Sequence, residues 1–184
     1  DIDKRYGFVM GGGKPEGAFV PKKEDVVPPC AVKTLPVQDG DVFDLGGVQI
    51  EAIAVPGHTV GTMVYLDRAR RVLYSGDACN ANTLLGLPCS TTVETYAKSL
   101  DHLATYLKGI DKFYGGHGLQ AVPAYIVDEA LILCEEILSD DDDRFETEFL
   151  GRKFLYARKF DGMLHREHGG IANIAYVMEK VYNK

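Results

Sequence analysis

Between residues 42 and 74 the chain alternates short apolar and polar runs, broken by paired glycines and charged turns. That period of two predicts antiparallel strands: one pair over 42–45 and 48–55 joined through Gly46-Gly47, and a second hairpin over 62–66 and 71–74 turning at 67–70. Upstream, 31–37 reads as a further strand and Asp39-Gly40-Asp41 as a turn. The period then lengthens. Ala97, Leu100, Leu103, Ala104 and Leu107 recur at helical spacing and predict a helix over 94–108, with Thr91 or Thr92 as its N-cap. A short strand over 112–114 leads into Gly115-Gly116-His117-Gly118. Pro123 opens a second helix through 138, with Ile126, Ala130, Leu133 and Ile137 on one stripe. The acidic run 140–143 reads as a solvated turn, 154–160 as a strand or β-like arm, and 171–182 as a closing helix. The first forty residues are rich in glycine and proline and read as loops with one short helix around 23–27. Gly12-Gly13-Lys14 is no P-loop, because Pro15 stands where Ser or Thr should follow the lysine.

Strands that come as hairpins, with helices between and after them, predict an α/β fold of the layered α+β kind with a mixed sheet. The expected organisation is a single domain over 1–184: a loop-rich lead-in over 1–30, strands and their loops over 31–118, and helices with an arm over 119–184. A chain of 184 residues, 46% of them hydrophobic, suffices to build one core.

Charge narrows the partners. Twenty Lys and Arg against 27 Asp and Glu leave a net charge of −7, and phosphate neutralisation needs a basic face, so no nucleic-acid partner is expected. No apolar stretch approaches the ~20 residues of a membrane span, and no signal peptide opens the chain. The four cysteines, Cys30, Cys79, Cys89 and Cys134, form no CxxC pair and read as small packed hydrophobes in a reducing compartment, hence a cytoplasmic location.

Three short segments carry the chemistry: Pro56-Gly57-His58-Thr59-Val60-Gly61-Thr62, Ser75-Gly76-Asp77-Ala78 and Gly115-Gly116-His117-Gly118. Each sets a potential metal ligand just after a predicted strand, on a loop whose glycines let the backbone turn sharply. Two neutral imidazoles and a carboxylate form a mixed nitrogen and oxygen set suited to zinc or iron, with bonds of about 2.0–2.2 Å.

The three motifs in this order resemble the metallo-β-lactamase superfamily, in the broad hydrolase branch that includes glyoxalase II-like enzymes. Asp39-Gly40-Asp41 and Leu45-Gly46-Gly47-Val48 are similar to the family's approach to its Pro-Gly-His-Thr loop, and the clear resemblance runs over 40–118. It implies an αββα sandwich with a mixed sheet, of which this chain would be the C-terminal portion. It also implies two metals, zinc or iron. His58 then completes the first metal site, Asp77 bridges the two metals and is the residue assigned to catalysis, and His117 binds the second metal. In the family the metals lower the pKa of a shared water and polarise a substrate carbonyl. Thr59, Ser75 and Asn80 read either as supports for these ligands or as turn residues satisfying their own backbone.

The family's earlier His-x-His-x-Asp-His motif, with four further ligands, has no counterpart here, since no histidine precedes His58. The expectation is a chain that lacks an N-terminal portion, beginning at Asp1 by a cut, and that holds at most one metal weakly. Its function is then part of a metal-dependent hydrolase acting on a small-molecule ester, thioester or lactone, inactive as an isolated chain; the alternative is a non-catalytic binding or assembly module of the same fold. His165 and His168 read as a polar turn, a substrate-side loop or metal ligands, and His102 as a residue on a helix's solvent face. Cys79 either packs or reaches the cleft. The segment 79–92 is a candidate substrate wall, in which Leu84, Leu85 and Leu87 either contact an apolar group or pack beneath the loop. Substrate-binding residues are otherwise unassigned. An exposed sheet face or edge predicts a homo-oligomer that covers it.

Overall fold

The structure is a computed structural model that describes residues 22–25, 27–28, 30–117, 121–149, 152–159 and 170–183. The chain divides into two compact units, Asp1–Pro36 and Val37–Lys184. In the first, a 3-10 turn at Lys23–Asp25 is held by the Asp25 carboxylate, which accepts the Lys22 amide at 2.8 Å. The turn is shorter than the helix expected there.

In the second unit the alternating runs become strands β1 (Val42–Asp44), β2 (Gln49–Ala54), β3 (Met63–Asp67) and β4 (Val72–Gly76), each antiparallel to the next. The turns follow from their residues. Gly46 and Gly47 take φ of 79° and 97°, a region open to glycine, and the Asp67 carboxylate accepts the Arg70 amide at 2.9 Å. Residues 31–37, expected as a strand, form none. They are mostly solvent-exposed, and Pro36 lacks the amide that a ladder would need.

Beyond β4 the chain forms β5 (Thr83–Leu84), helix α1 (Val93–Ala104) and strand β6 (Lys112–Gly115), which lies parallel to β4. Thr92 caps α1 by accepting the Thr95 amide at 3.2 Å. The helix buries Val93, Tyr96, Ser99, Leu100 and Leu103. Pro123 does not open a helix: it lies in β7 (Val122–Pro123), paired with Lys112 of β6 at the end of the sheet, where a missing amide costs least. Helix α2 (Ile126–Leu138) starts three residues later and buries Ile126, Ala130, Leu133 and Ile137, the stripe read from the sequence.

The C-terminal third departs most from expectation. Strands β8 (Phe145–Phe149) and β9 (Arg152–Tyr156) pair antiparallel, and 171–182 is not a helix. It holds β10 (Ile174–Tyr176), antiparallel to β9 and parallel to β5, followed by a 3-10 turn at Met178–Lys180. Ile174, Ala175 and Tyr176 are all buried, and a short, fully apolar run carries no period that separates strand from helix. Backbone amides settle the outcome. Those of Ile171 and Ala172 are taken by the Glu129 carboxylate of α2 at 2.6 and 2.8 Å. The acidic run is likewise no free turn: the Asp142 side chain is 0% exposed, ion-paired with Arg144 Nε at 3.0 Å, and accepts the Tyr176 hydroxyl at 2.7 Å.

The result is an α/β fold with two mixed sheets, one ordered β1-β2-β3-β4-β6-β7 and one ordered β5-β10-β9-β8. The main core joins Ile53, Val64, Leu66, Leu73 and Phe113 of the larger sheet to the inner faces of both helices and to Ile174 and Tyr176. At roughly 25 cal/mol per Å² of buried apolar surface, this is the main stabilising term. Among the described residues, no helix is long and apolar enough to cross a membrane.

Candidate metal centre

Topology brings the three motifs to one edge. Strand β3 runs against both β2 and β4, so β2 and β4 point the same way, and β6 is parallel to β4. His58, Asp77 and His117 follow the ends of these three co-directional strands. Open α/β sheets gather ligands at such strand ends. Asp77 and His117 leave neighbouring strands, whereas β3 separates His58 from them by a further strand spacing of about 4.8 Å. The longer Pro56-to-Gly61 loop spans that gap.

Asp77 sits between the two imidazoles. Its Oδ1 lies 3.3 Å from His117 Nε2 and its Oδ2 lies 4.0 Å from His58 Nε2. Exposure grades across the site: the His58 side chain is 22% exposed, Asp77 35% and His117 82%. Asn80 donates from Nδ2 to Asp77 Oδ1 at 3.4 Å, and Asn80 Oδ1 in turn accepts the Asn82 amide at 2.8 Å, so of the two readings left open Asn80 takes both at once.

Close backbone approach is built in. The Gly116 amide donates to the Gly76 carbonyl at 2.9 Å, and a Cβ on Gly116 would stand 2.8 Å from Asp77 Oδ1. Only glycine leaves the carboxylate its place. Gly76 takes φ of 52° at a register shift between β4 and β6, which turns Asp77 off the strand.

His58 is oriented from the smaller sheet. Its Nδ1 lies 2.9 Å from the Leu84 carbonyl of β5, an acceptor only, so Nδ1 carries the proton and Nε2 is the nitrogen turned toward Asp77. Ser90 fastens the same corner: its hydroxyl lies 2.7 Å from the His58 carbonyl as donor and 3.1 Å from the Leu87 amide as acceptor. The Val60 amide donates to the Cys89 carbonyl and the Thr91 amide to the Gly57 carbonyl, both at 2.9 Å. Segment 87–91 therefore clamps the His58 loop. Within the expected substrate wall, Leu85 is fully buried in the core, while Leu84 contributes its carbonyl to His58 and its side chain to a smaller cluster with Phe154 and Tyr156. Neither Ser90 nor Leu84 stood out in the sequence as a partner of His58, because their contacts run through backbone carbonyls.

Other candidates fall elsewhere. Thr59 bonds Thr62 within its own turn, its amide donating to the Thr62 hydroxyl at 3.0 Å and the two hydroxyl oxygens lying 2.9 Å apart, and Ser75 donates to the Cys79 carbonyl at 3.2 Å. Cys79 is fully buried, and burial pushes its thiol up to about 12, which makes it a packing residue. All four cysteines are free thiols; Cys134 is buried like Cys79, but Cys30 and Cys89 are exposed rather than packed. His102, half-exposed, ties α1 to the turn before β1 through Asp39, 3.1 Å from its Nε2. Although desolvation opposes it, the Ala54 amide and His102 hold the Asp39 carboxyl below the usual range. His165 and His168 lie outside the described residues.

The donor chemistry fits a transition metal. Two ligands bound at about 2.0–2.2 Å to one tetrahedral cation lie roughly 3.3–3.6 Å apart, which the His117–Asp77 pair meets and the His58–Asp77 pair exceeds. The fit is that of one imidazole and one carboxylate oxygen, His117 Nε2 and Asp77 Oδ1, with His58 standing farther off on the other carboxylate oxygen. Among the described residues, no three His, Cys, Asp or Glu side chains gather around a single ion position.

The sequence matches the family described as the Metallo-beta-lactamase superfamily over residues 4–144, well beyond the stretch that carries the three motifs. Over 86 residues it is 31% identical to the acyl-coenzyme A thioesterase MBLAC2 of Homo sapiens, covering 46% of this chain and 31% of that protein. Over 101 residues it is 35% identical to a hydroxyacylglutathione hydrolase of Brucella anthropi, covering 53% of this chain and 36% of that protein. A metallo-beta-lactamase family protein of Thermus thermophilus superposes with a TM-score of 0.48 at 24% identity, covering 77% of this chain and 49% of that one. The chain thus spans about a third of the length of the curated relatives it matches.

Proposed function

Because the chain belongs to the Metallo-beta-lactamase superfamily, we propose that it forms part of a metal-dependent hydrolase, with His58, Asp77 and His117 as metal ligands and a small-molecule thioester as substrate. The observation that carries this is Asp77 set between two imidazoles, one facing each carboxylate oxygen at 3.3 and 4.0 Å. The thioester class draws on the relatives, which are a coenzyme A thioesterase and a hydroxyacylglutathione hydrolase. Esters and lactones share the carbonyl chemistry.

His58, Asp77 and His117 are the residues that would hold the metal, zinc or iron. When bound, such a cation supplies Lewis acidity and an activated water at neutral pH. The Leu84 carbonyl keeps the His58 proton on Nδ1, which leaves Nε2 free to ligate, and Asn80 fixes the rotation of the Asp77 carboxylate. A catalytic zinc needs three protein ligands and an open position, whereas each side of Asp77 offers two donors. The isolated chain is therefore expected to hold at most one cation, weakly, and to turn nothing over; the remaining donors would come from residues other than those described.

Zinc binding and thioester turnover by the chain, measured side by side on an acyl-coenzyme A and a hydroxyacylglutathione, test this reading. It expects weak binding that depends on Asp77, without turnover. Turnover by the chain alone would overturn the incomplete site, and binding indifferent to Asp77→Ala would favour a non-catalytic module.

Self-association belongs to the same proposal. Tyr65, Tyr74 and Tyr114 form one cross-strand row on a face of the larger sheet, with Tyr74 and Tyr114 stacked at 6.0 Å and 44% and 40% exposed. The row is uncharged and aromatic, so a second copy can cover it without burying a charge. Light scattering is expected to give a dimer or larger species that Tyr74→Lys shifts to monomer; a monomeric wild type would refute this.

A further inference from the structure

One buried side chain touches both loops that carry the inner ligands. Tyr96, on the inward face of α1, is 0% exposed. Its hydroxyl donates to the Ala78 carbonyl at 2.8 Å, one residue past Asp77. Its ring lies flush on Gly57, one residue before His58, where a Cβ would stand 2.3 Å from Tyr96 Cδ2. A rigid phenol thus spans the distance from the His58 loop to the Asp77 loop. Strand β3 lies between the parent strands of the two loops, so the sheet's own ladder does not link them directly.

We propose that Tyr96 is a positioning residue that sets the separation between His58 and Asp77. This rests on those two residues forming part of a metal site. The ring is seated by its neighbours as well as by its contacts: α1 carries it between Val93 and Leu100 on the buried stripe, and Ser99, one residue short of Leu100, donates to the Pro56 carbonyl at 2.7 Å. The helix therefore grips the start of the His58 loop at Pro56 and Gly57 and the Asp77 loop at Ala78. A shift of α1 against the sheet would move both ligands together, while a change at the phenol would move them apart. Burial, with the neighbouring cysteine thiols, keeps the phenol protonated, so the hydroxyl remains a donor.

Tyr96→Phe deletes the hydroxyl and keeps the ring; Gly57→Ala keeps the hydroxyl and displaces the ring. Two readouts are taken on the full chain: the affinity for Co²⁺ alone, followed by its visible absorption, and the ring ¹H–¹⁵N resonances of His58 and His102. Both variants are expected to weaken Co²⁺ binding about tenfold or more and to move the His58 resonances while those of His102 stay. A residue that served stability alone would lower the melting temperature and leave both readouts at their wild-type values. Wild-type affinity and an unmoved His58 ring in either folded variant would overturn the proposal. If the wild type binds Co²⁺ no better than Asp77→Ala does, the metal-site reading itself fails, and the His58 resonances still decide whether Tyr96 sets the loop separation.

Discussion

His58 and Leu84 are 26 positions apart, yet the imidazole Nδ1 of one lies 2.9 Å from the carbonyl oxygen of the other. A carbonyl accepts and cannot donate, so the contact selects the tautomer with hydrogen on Nδ1 and leaves Nε2 bare toward Asp77. Without that partner a neutral imidazole shares its proton between both nitrogens. Nitrogen-15 spectra of the neutral ring are expected to show a protonated Nδ1 and an unprotonated Nε2. A ring with the proton on Nε2 would contradict this orientation.

Gly116 tests how tightly Asp77 is held. An added Cβ would meet Asp77 Oδ1 at 2.8 Å and Cγ at 3.3 Å, and the Gly76 backbone behind it leaves little room to yield. Gly116→Ala is expected to lower zinc affinity about tenfold or more, with a stability loss of about 1–3 kcal/mol from overpacking. Calorimetric titration and urea denaturation measure the two effects separately.

The acidic run offers a test away from the site. Asp142 is enclosed between the Tyr176 hydroxyl and Arg144, and burial, with the Asp142 carboxylate, pushes the Tyr176 phenol up, so it stays a donor. Tyr176→Phe leaves a buried carboxylate oxygen without that donor and is expected to cost about 1–3 kcal/mol. Asp142→Ala strands Arg144 from one of its two acids and is expected to cost about 3 kcal/mol. Urea midpoints check both; changes within a few tenths of a kcal/mol would mean that the run is a solvated turn after all.

Acid stability should report on Asp67. Its carboxylate is nearly fully buried and is bonded by the Arg70 side chain at 2.7 Å and the Arg70 amide at 2.9 Å, which hold it below the usual carboxylate range. A folded-state pKa below the unfolded value, about 3.9, stabilises the fold above that value and is lost as pH falls through the folded one. Urea midpoints measured down the acid limb should therefore fall for the wild type and fall less steeply for Asp67→Asn. Identical acid limbs would remove Asp67 from the account.

How much of this was legible in the sequence depended on period and on locality. The hairpins over 42–76 stood out because alternation and turn chemistry agree: Gly46-Gly47 and Asp67 with Arg70 close turns that the strand pattern already required. That His58, Asp77 and His117 sit in glycine-bearing loops beyond strand ends was legible for the same reason, since the strand pattern and the glycines mark those loops locally. The segment 171–182 is not legible as a strand because Ile174, Ala175 and Tyr176 are all buried, which erases the period, and because Glu129, 42 positions away, takes the Ile171 amide. Pro123 is ambiguous in the sequence because a helix start and an end strand both tolerate the missing amide. Tyr96 lies four residues before Leu100 and three after Val93, so its inward direction was readable from the helical period. That its two ends meet Gly57 and Ala78 was not, because that contact exists only once both loops are folded.

The proposed metal site has Asp77 as the ligand that His58 and His117 flank. Zinc titration of the wild-type chain against Asp77→Ala, His58→Ala and His117→Ala, by calorimetry with melting curves as controls for folding, tests it most directly. At most one weakly bound zinc per wild-type chain is expected, with no measurable binding in Asp77→Ala and reduced affinity in each histidine variant. Zinc bound as tightly by a folded Asp77→Ala as by the wild type would contradict it.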